Sequence, residues 1–151
     1  MSSAYDLLNS LSAPDVDNTT LVIDHFARAI IIPDGIKNLG VENDNDVLRL
    51  NFRMPRYLGA VDLNDLEIYI NYINAQGVDY TYKVTDSNIT DDDNITFSWL
   101  VGSTATTYAG NVEFNVSLTI PNSRNDDEPA YGTSNAKLPV LKGLKMSKRI
   151  V

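Results

Sequence analysis

The only histidine, His25, follows Asp24, and a histidine beside a carboxylate is a common device for moving a proton near neutral pH. Neighbouring residues on a strand point to opposite faces, so this pair is not set to work on one substrate. Two acidic runs, Glu42-Asn43-Asp44-Asn45-Asp46 and Asp91-Asp92-Asp93-Asn94, offer oxygens of the kind calcium takes. Calcium wants about six to eight of them from a bent loop, and neither run has the glycine and distal glutamate of an EF-hand, so both read more simply as polar turns. Seven tyrosines (Tyr57, Tyr69, Tyr72, Tyr80, Tyr82, Tyr108 and Tyr131) could stack on sugar rings if they formed a row, which makes a carbohydrate-binding module a competing function of another class. With no cysteine, glycine-rich phosphate loop, nucleophile elbow or paired metal-binding histidines, the expectation is a non-enzymatic chain with no catalytic residues, no cofactor and no metal site.

The elements that carry these residues follow from composition and periodicity. The 151 residues, 43% of them hydrophobic, suit one domain with a sizeable core. No stretch reaches the roughly 20 apolar residues of a membrane span, and residues 1–11 carry no positive charge ahead of their apolar positions, which predicts a soluble protein made without a signal peptide. Asn-x-Ser/Thr triplets at Asn18, Asn88, Asn94 and Asn115 then reflect polar turns and strand faces, not glycan acceptors. Net charge is −8, yet Lys137, Lys142, Lys145, Lys148 and Arg149 crowd the last fifteen residues, leaving a body of −13 that repels nucleic acid and anionic membranes.

Ser3-Ala4-Tyr5-Asp6 resembles a capping box, and Tyr5, Leu8 and Leu11 follow at helical spacing, so a short helix or arm is expected over 1–18. From residue 19 to 141 the period becomes two. Strands are expected at Thr20–Asp24, Ala29–Ile32, Val47–Arg53, Leu66–Ile73, Tyr80–Thr85, Asn94–Val101, Asn111–Ile120 and Ala136–Leu141, bounded by turn formers. The clearest alternation sets Val112, Phe114, Val116, Leu118 and Ile120 against Glu113, Asn115, Ser117 and Thr119. Asn74-Ala75-Gln76-Gly77 reads as a hairpin loop with its glycine left-handed, so the strands flanking it pair antiparallel. The fold class is all-β: an antiparallel β-sandwich of about seven or eight strands, with a partly closed barrel as the other solution, and a core containing Phe52, Ile70, Phe97, Trp99, Phe114 and Val116. Residues 142–151 form a basic C-terminal tail, and 124–129 a mobile loop.

Asp34-Gly35-Ile36-Lys37-Asn38-Leu39-Gly40-Val41-Glu42-Asn43-Asp44, then Phe52-Arg53-Met54-Pro55-Arg56-Tyr57, Asp62-Leu63, Ile70-Asn71-Tyr72-Ile73-Asn74-Ala75 and Ile95-Thr96-Phe97-Ser98-Trp99-Leu100-Val101-Gly102 together resemble a domain recurrent in virion structural proteins of tailed phages and prophages. The pattern, over about residues 20–145, is similar to the N-terminal domain of phage baseplate upper proteins. That resemblance implies a β-sandwich adaptor of the tail baseplate or fibre apparatus, resident in the virion, that docks other virion proteins and copies of itself. Since this chain stops at Val151, a distal receptor-binding part is expected on a separate protein, and a capsid-surface decoration or head-fibre base role stays open. The expected partner-binding residues are Tyr5, Leu8 and Leu11 at one end, because so short a helix is marginal alone, and Lys142, Lys145, Lys148 and Arg149 at the other, because basic groups beside an acidic body favour an acidic neighbour.

Overall fold

The computed structural model describes residues 18–121 and 131–151. The expected N-terminal arm, with Tyr5, Leu8 and Leu11, and the expected loop at 124–129 lie outside the described residues.

Two five-stranded sheets pack face to face, as the alternating pattern requires. The first runs β2 (Ala29–Ile31), β1 (Thr20–Asp24), β3 (Arg49–Pro55), β9 (Asn94–Leu100), β8 (Asn88–Thr90). The second runs β11 (Tyr131–Gly132), β10 (Gly110–Thr119), β6 (Glu67–Ile73), β7 (Asp79–Lys83), with β12 (Ala136–Val140) beside the first half of β10. A hairpin of β4 (Tyr57–Leu58) and β5 (Val61–Asp62), a 3-10 turn at Leu63–Asp65 and one turn of helix, α1 (Ser103–Thr106), complete the described chain. The strands pair antiparallel except β1 beside β3, which run parallel and therefore need the long connection through residues 32–48.

Each sheet buries one side of the period-two pattern. Phe52, Ile70, Phe97, Trp99, Phe114 and Val116 are all buried, as expected. Phe114 of the second sheet meets Phe52 edge-on at 6.5 Å and Trp99 at 5.6 Å, while Trp99 lies 5.0 Å from Tyr72. Aromatic rings thus bridge the two layers, each fully buried side chain contributing about 1.5–3 kcal/mol by burial. Ile120 departs from the expectation: β10 ends at Thr119, and Ile120, beyond the last ladder position, is 59% exposed.

The hairpin from β6 to β7 has the loop the sequence predicts. Gly77 has φ of +90°, and its N–H donates to the Asn74 carbonyl at 2.9 Å. Asn74 organises this turn. Its buried side chain accepts from Gln76 N and Val78 N and donates to the Thr104 carbonyl, tying the hairpin to α1.

Candidate functional site

The proton-transfer pair does not form. His25 lies in the turn after β1, with its ring against Phe26 at 4.0 Å and its carbonyl accepting from the Tyr131 hydroxyl at 3.1 Å. Asp24 instead closes the same turn, one carboxylate oxygen accepting from Phe26 N at 3.0 Å and Ala27 N at 3.1 Å. That is the ordinary use of an aspartate at a strand end.

Both acidic runs are folded as turns. In the first, Asn43 and Asp46 take φ of 68° and 58°, values that Asn and Asp tolerate better than other side-chain-bearing residues. Asp44 accepts from Val41 N at 3.0 Å, Asn45 accepts from Ser103 N at 3.0 Å, and Asn43 N donates to the Thr106 carbonyl at 2.8 Å. In the second, Asp91 and Asp92 have φ of 54° and 60°, and Arg56 N donates to the Asp93 carbonyl at 2.8 Å. Among the described residues no three His, Asp or Glu side chains converge as metal ligands.

The tyrosines form no row. Ladder register sets Tyr80 opposite Tyr72 and Tyr82 opposite Ile70, so both point to the inner side of the second sheet, and Tyr80 stacks on Tyr72 at 5.5 Å. Tyr72 donates to or accepts from Thr104 at 2.6 Å, and burial holds its hydroxyl pKa above the usual tyrosine value. Tyr131 is buried beneath the Arg28 guanidinium, and burial again raises its pKa. Tyr57, on β4, and Tyr108, between α1 and β10, are exposed and stand on separate elements.

Two polar assemblies escaped the sequence reading. On the outer face of the second sheet, Asn71 of β6 donates to Asn115 and Ser117 of β10, both at 3.0 Å, and accepts from Thr81 of β7 at 2.9 Å. Asn71, Thr81 and Asn115 line an open groove of about 310 Å³, together with Asp79, Glu113 and Asn135. The groove brings together amides, a hydroxyl and carboxylates. Asparagines at outward positions of alternating strands were the available signal. The second assembly is Arg56, which forks onto Asp62 with Nε–Oδ1 at 3.1 Å and Nη2–Oδ2 at 2.9 Å. The hydrogen bond from Arg56 holds the Asp62 carboxyl below its ordinary pKa, and Arg56 is raised in return. This pair closes the β4–β5 hairpin onto β3.

The candidate interaction surface is the place where the basic segment leaves the body. Residues 39–42 lie along the outer edge of β12: Leu39 N donates to the Pro139 carbonyl at 2.9 Å, Leu141 N to the Gly40 carbonyl at 2.8 Å, and Glu42 N to the Leu141 carbonyl at 2.9 Å. Leu39 fills the core, and Gly40, at φ +110°, lets the chain turn back where a Cβ would lie 2.7 Å from Asp44. Gly40 therefore helps seal a sheet edge. Gly143 N donates to the Glu42 carboxylate at 3.0 Å, and beyond it Leu144, Met146 and Ile150 are 98%, 90% and 86% exposed. Lys142, Lys145, Lys148 and Arg149 are exposed as well. The ion pairs among the described residues join Arg49 to Asp86, Arg56 to Asp62, Lys83 to Glu67 and Lys137 to Glu113, so these four cations have no acidic partner among the described residues.

No protein-family model and no curated protein matches the chain. Among solved structures, the sandwich is similar to the N-terminal domain of phage TP901-1 ORF48, at a TM-score of 0.51 and 11% identity, over 82% of this chain and 97% of that one. The likeness lies in the fold.

Proposed function

We propose that the protein is a non-enzymatic structural component of a tailed-phage particle, a rigid β-sandwich adaptor of the baseplate or fibre apparatus that docks other virion proteins. The observation that carries this reading is the likeness to the phage TP901-1 ORF48 domain, which spans nearly all of that domain and most of this chain. The exposed basic segment supports it, since four cations without an acidic partner among the described residues, beside an acidic body, are suited to an acidic protein surface. A sugar-binding reading loses its platform, because Tyr80 and Tyr82 turn inward.

The test is incorporation. Particles of the phage or prophage that encodes the chain, purified by density gradient, are to contain it in stoichiometric amount by quantitative mass spectrometry. Removing residues 142–151, or residues 1–18, should lower incorporation while the melting temperature of the free protein stays unchanged. Absence of the intact chain from purified particles would overturn the reading; full incorporation of both shortened chains would remove the two ends as docking elements.

A further inference from the structure

We propose that the basic segment of one copy adds as a strand to the edge of β7 in a second copy. This deepens the assembly reading above by naming one contact, and it is tested on the purified chain, apart from the particle.

The sheet edges are not equal. That of β12 is covered at its C-terminal end by residues 39–42, which bond to Pro139 and Leu141, and β2 and β8 are three residues long. The five residues of β7 form the longest open edge in the described chain. Asn74 N bonds to the Val78 carbonyl at 2.9 Å and Val84 N to the Ile68 carbonyl at 3.0 Å, which fixes the phase of the β6–β7 ladder. Tyr80 and Tyr82 therefore spend their backbone groups on β6, whereas the N–H and C=O groups of Asp79, Thr81 and Lys83 point away from the sheet. Such a row is a template for another strand.

The segment has matching chemistry. When it is extended, Leu144, Met146, Lys148 and Ile150 share one side and Lys145, Ser147, Arg149 and Val151 the other, so the first side is apolar but for one lysine. Seated on β7, the first set continues the inner face past Tyr80, which is 37% exposed at the rim of the core. The second set continues the outer face, where Lys83 is already paired with Glu67 but Asp79 has no cation among the described residues. A lysine or arginine opposite Asp79 completes a cross-strand ion pair. The segment is basic and the body carries net negative charge, so complementarity holds at long range too.

The experiment is analytical ultracentrifugation of the full chain and two variants. Thr81→Pro removes an outward N–H without touching a backbone bond to β6, a position where an edge strand tolerates proline, and the Thr81 hydroxyl bond to Asn71 that it also removes lies on the outer face. Leu144→Asp with Met146→Asp spoils the donated face. Wild type is expected to self-associate as concentration rises, each variant about tenfold or more weaker, and an equimolar mixture of the two variants to recover one-to-one association, since one supplies an intact segment and the other an intact edge. Circular dichroism checks folding, and Lys83→Pro replaces Thr81→Pro if the latter does not fold. A monomeric wild type, a variant associating like wild type, or a mixture that stays monomeric would overturn the proposal.

Discussion

Replacing Phe114 by alanine removes a ring that is 1% exposed and stands between the sheets, 6.5 Å from Phe52 and 5.6 Å from Trp99. Those neighbours belong to paired strands of the opposite sheet, so neither can move in without leaving its ladder, and the space stays largely open. Large-to-small changes at such a site cost about 3–5 kcal/mol, a large part of the roughly 5–15 kcal/mol that holds an ordinary domain folded. At a urea m-value of about 2 kcal/mol/M, the midpoint falls by about 1.5–2.5 M. Trp99 is the only tryptophan, fully buried beside the mutated site, so its fluorescence reports the transition in both proteins. Glu113→Ala is the paired control. Its side chain points out, 40% exposed and 3.5 Å from Lys137, and its loss should stay within about 0.5 kcal/mol. If Phe114→Ala costs less than about 1 kcal/mol, or Glu113→Ala costs as much, the assignment of faces in β10 is wrong.

Asp62→Asn tests the hairpin pair through pH. Because the folded Asp62 carboxyl titrates below its ordinary value, its stabilisation is full above the ordinary aspartate pKa and is lost as pH falls through the depressed one; the wild-type advantage in urea midpoint should therefore shrink in acid, and a pH-independent difference would contradict the pairing. Gly40→Ala meets both a φ of +110° and the Asp44 carboxylate, while Gly77→Ala meets only its φ of +90°; we expect a loss on the order of 1–3 kcal/mol for the first and a smaller one for the second by thermal denaturation, and the reverse order would refute the edge-sealing role of Gly40. His25→Ala leaves the backbone carbonyl that Tyr131 uses, so stability within about 0.5 kcal/mol and normal particle incorporation are expected; defective particles from a folded variant would give the imidazole a role.

The long strands were legible because each carries its own period-two record of one dry and one wet face. Leu50, Phe52, Ile68, Ile70, Phe97, Trp99, Phe114 and Val116 all lie on the buried side. Ends were less legible: β3 runs from Arg49 to Pro55 instead of Val47 to Arg53, since Asp46 holds a left-handed turn and the proline still occupies a ladder position opposite Asn94. Elements of two or three residues, β4, β5, β8 and β11, are too short to show a period, and α1 is a single turn. The parallel placement of β1 beside β3 is a long-range choice that leaves no local mark. The site was legible only as composition. Basic residues at 142–149 stood out, but not that residues 39–42 anchor the start of that segment, because the contact joins positions about a hundred residues apart.

An electron cryomicroscopy map of the intact particle tests the adaptor assignment most directly. It is predicted to show the two-sheet body in repeated copies, with residues 142–151 ordered against a neighbouring subunit. A map that accounts for every particle protein and contains no such sandwich would contradict it.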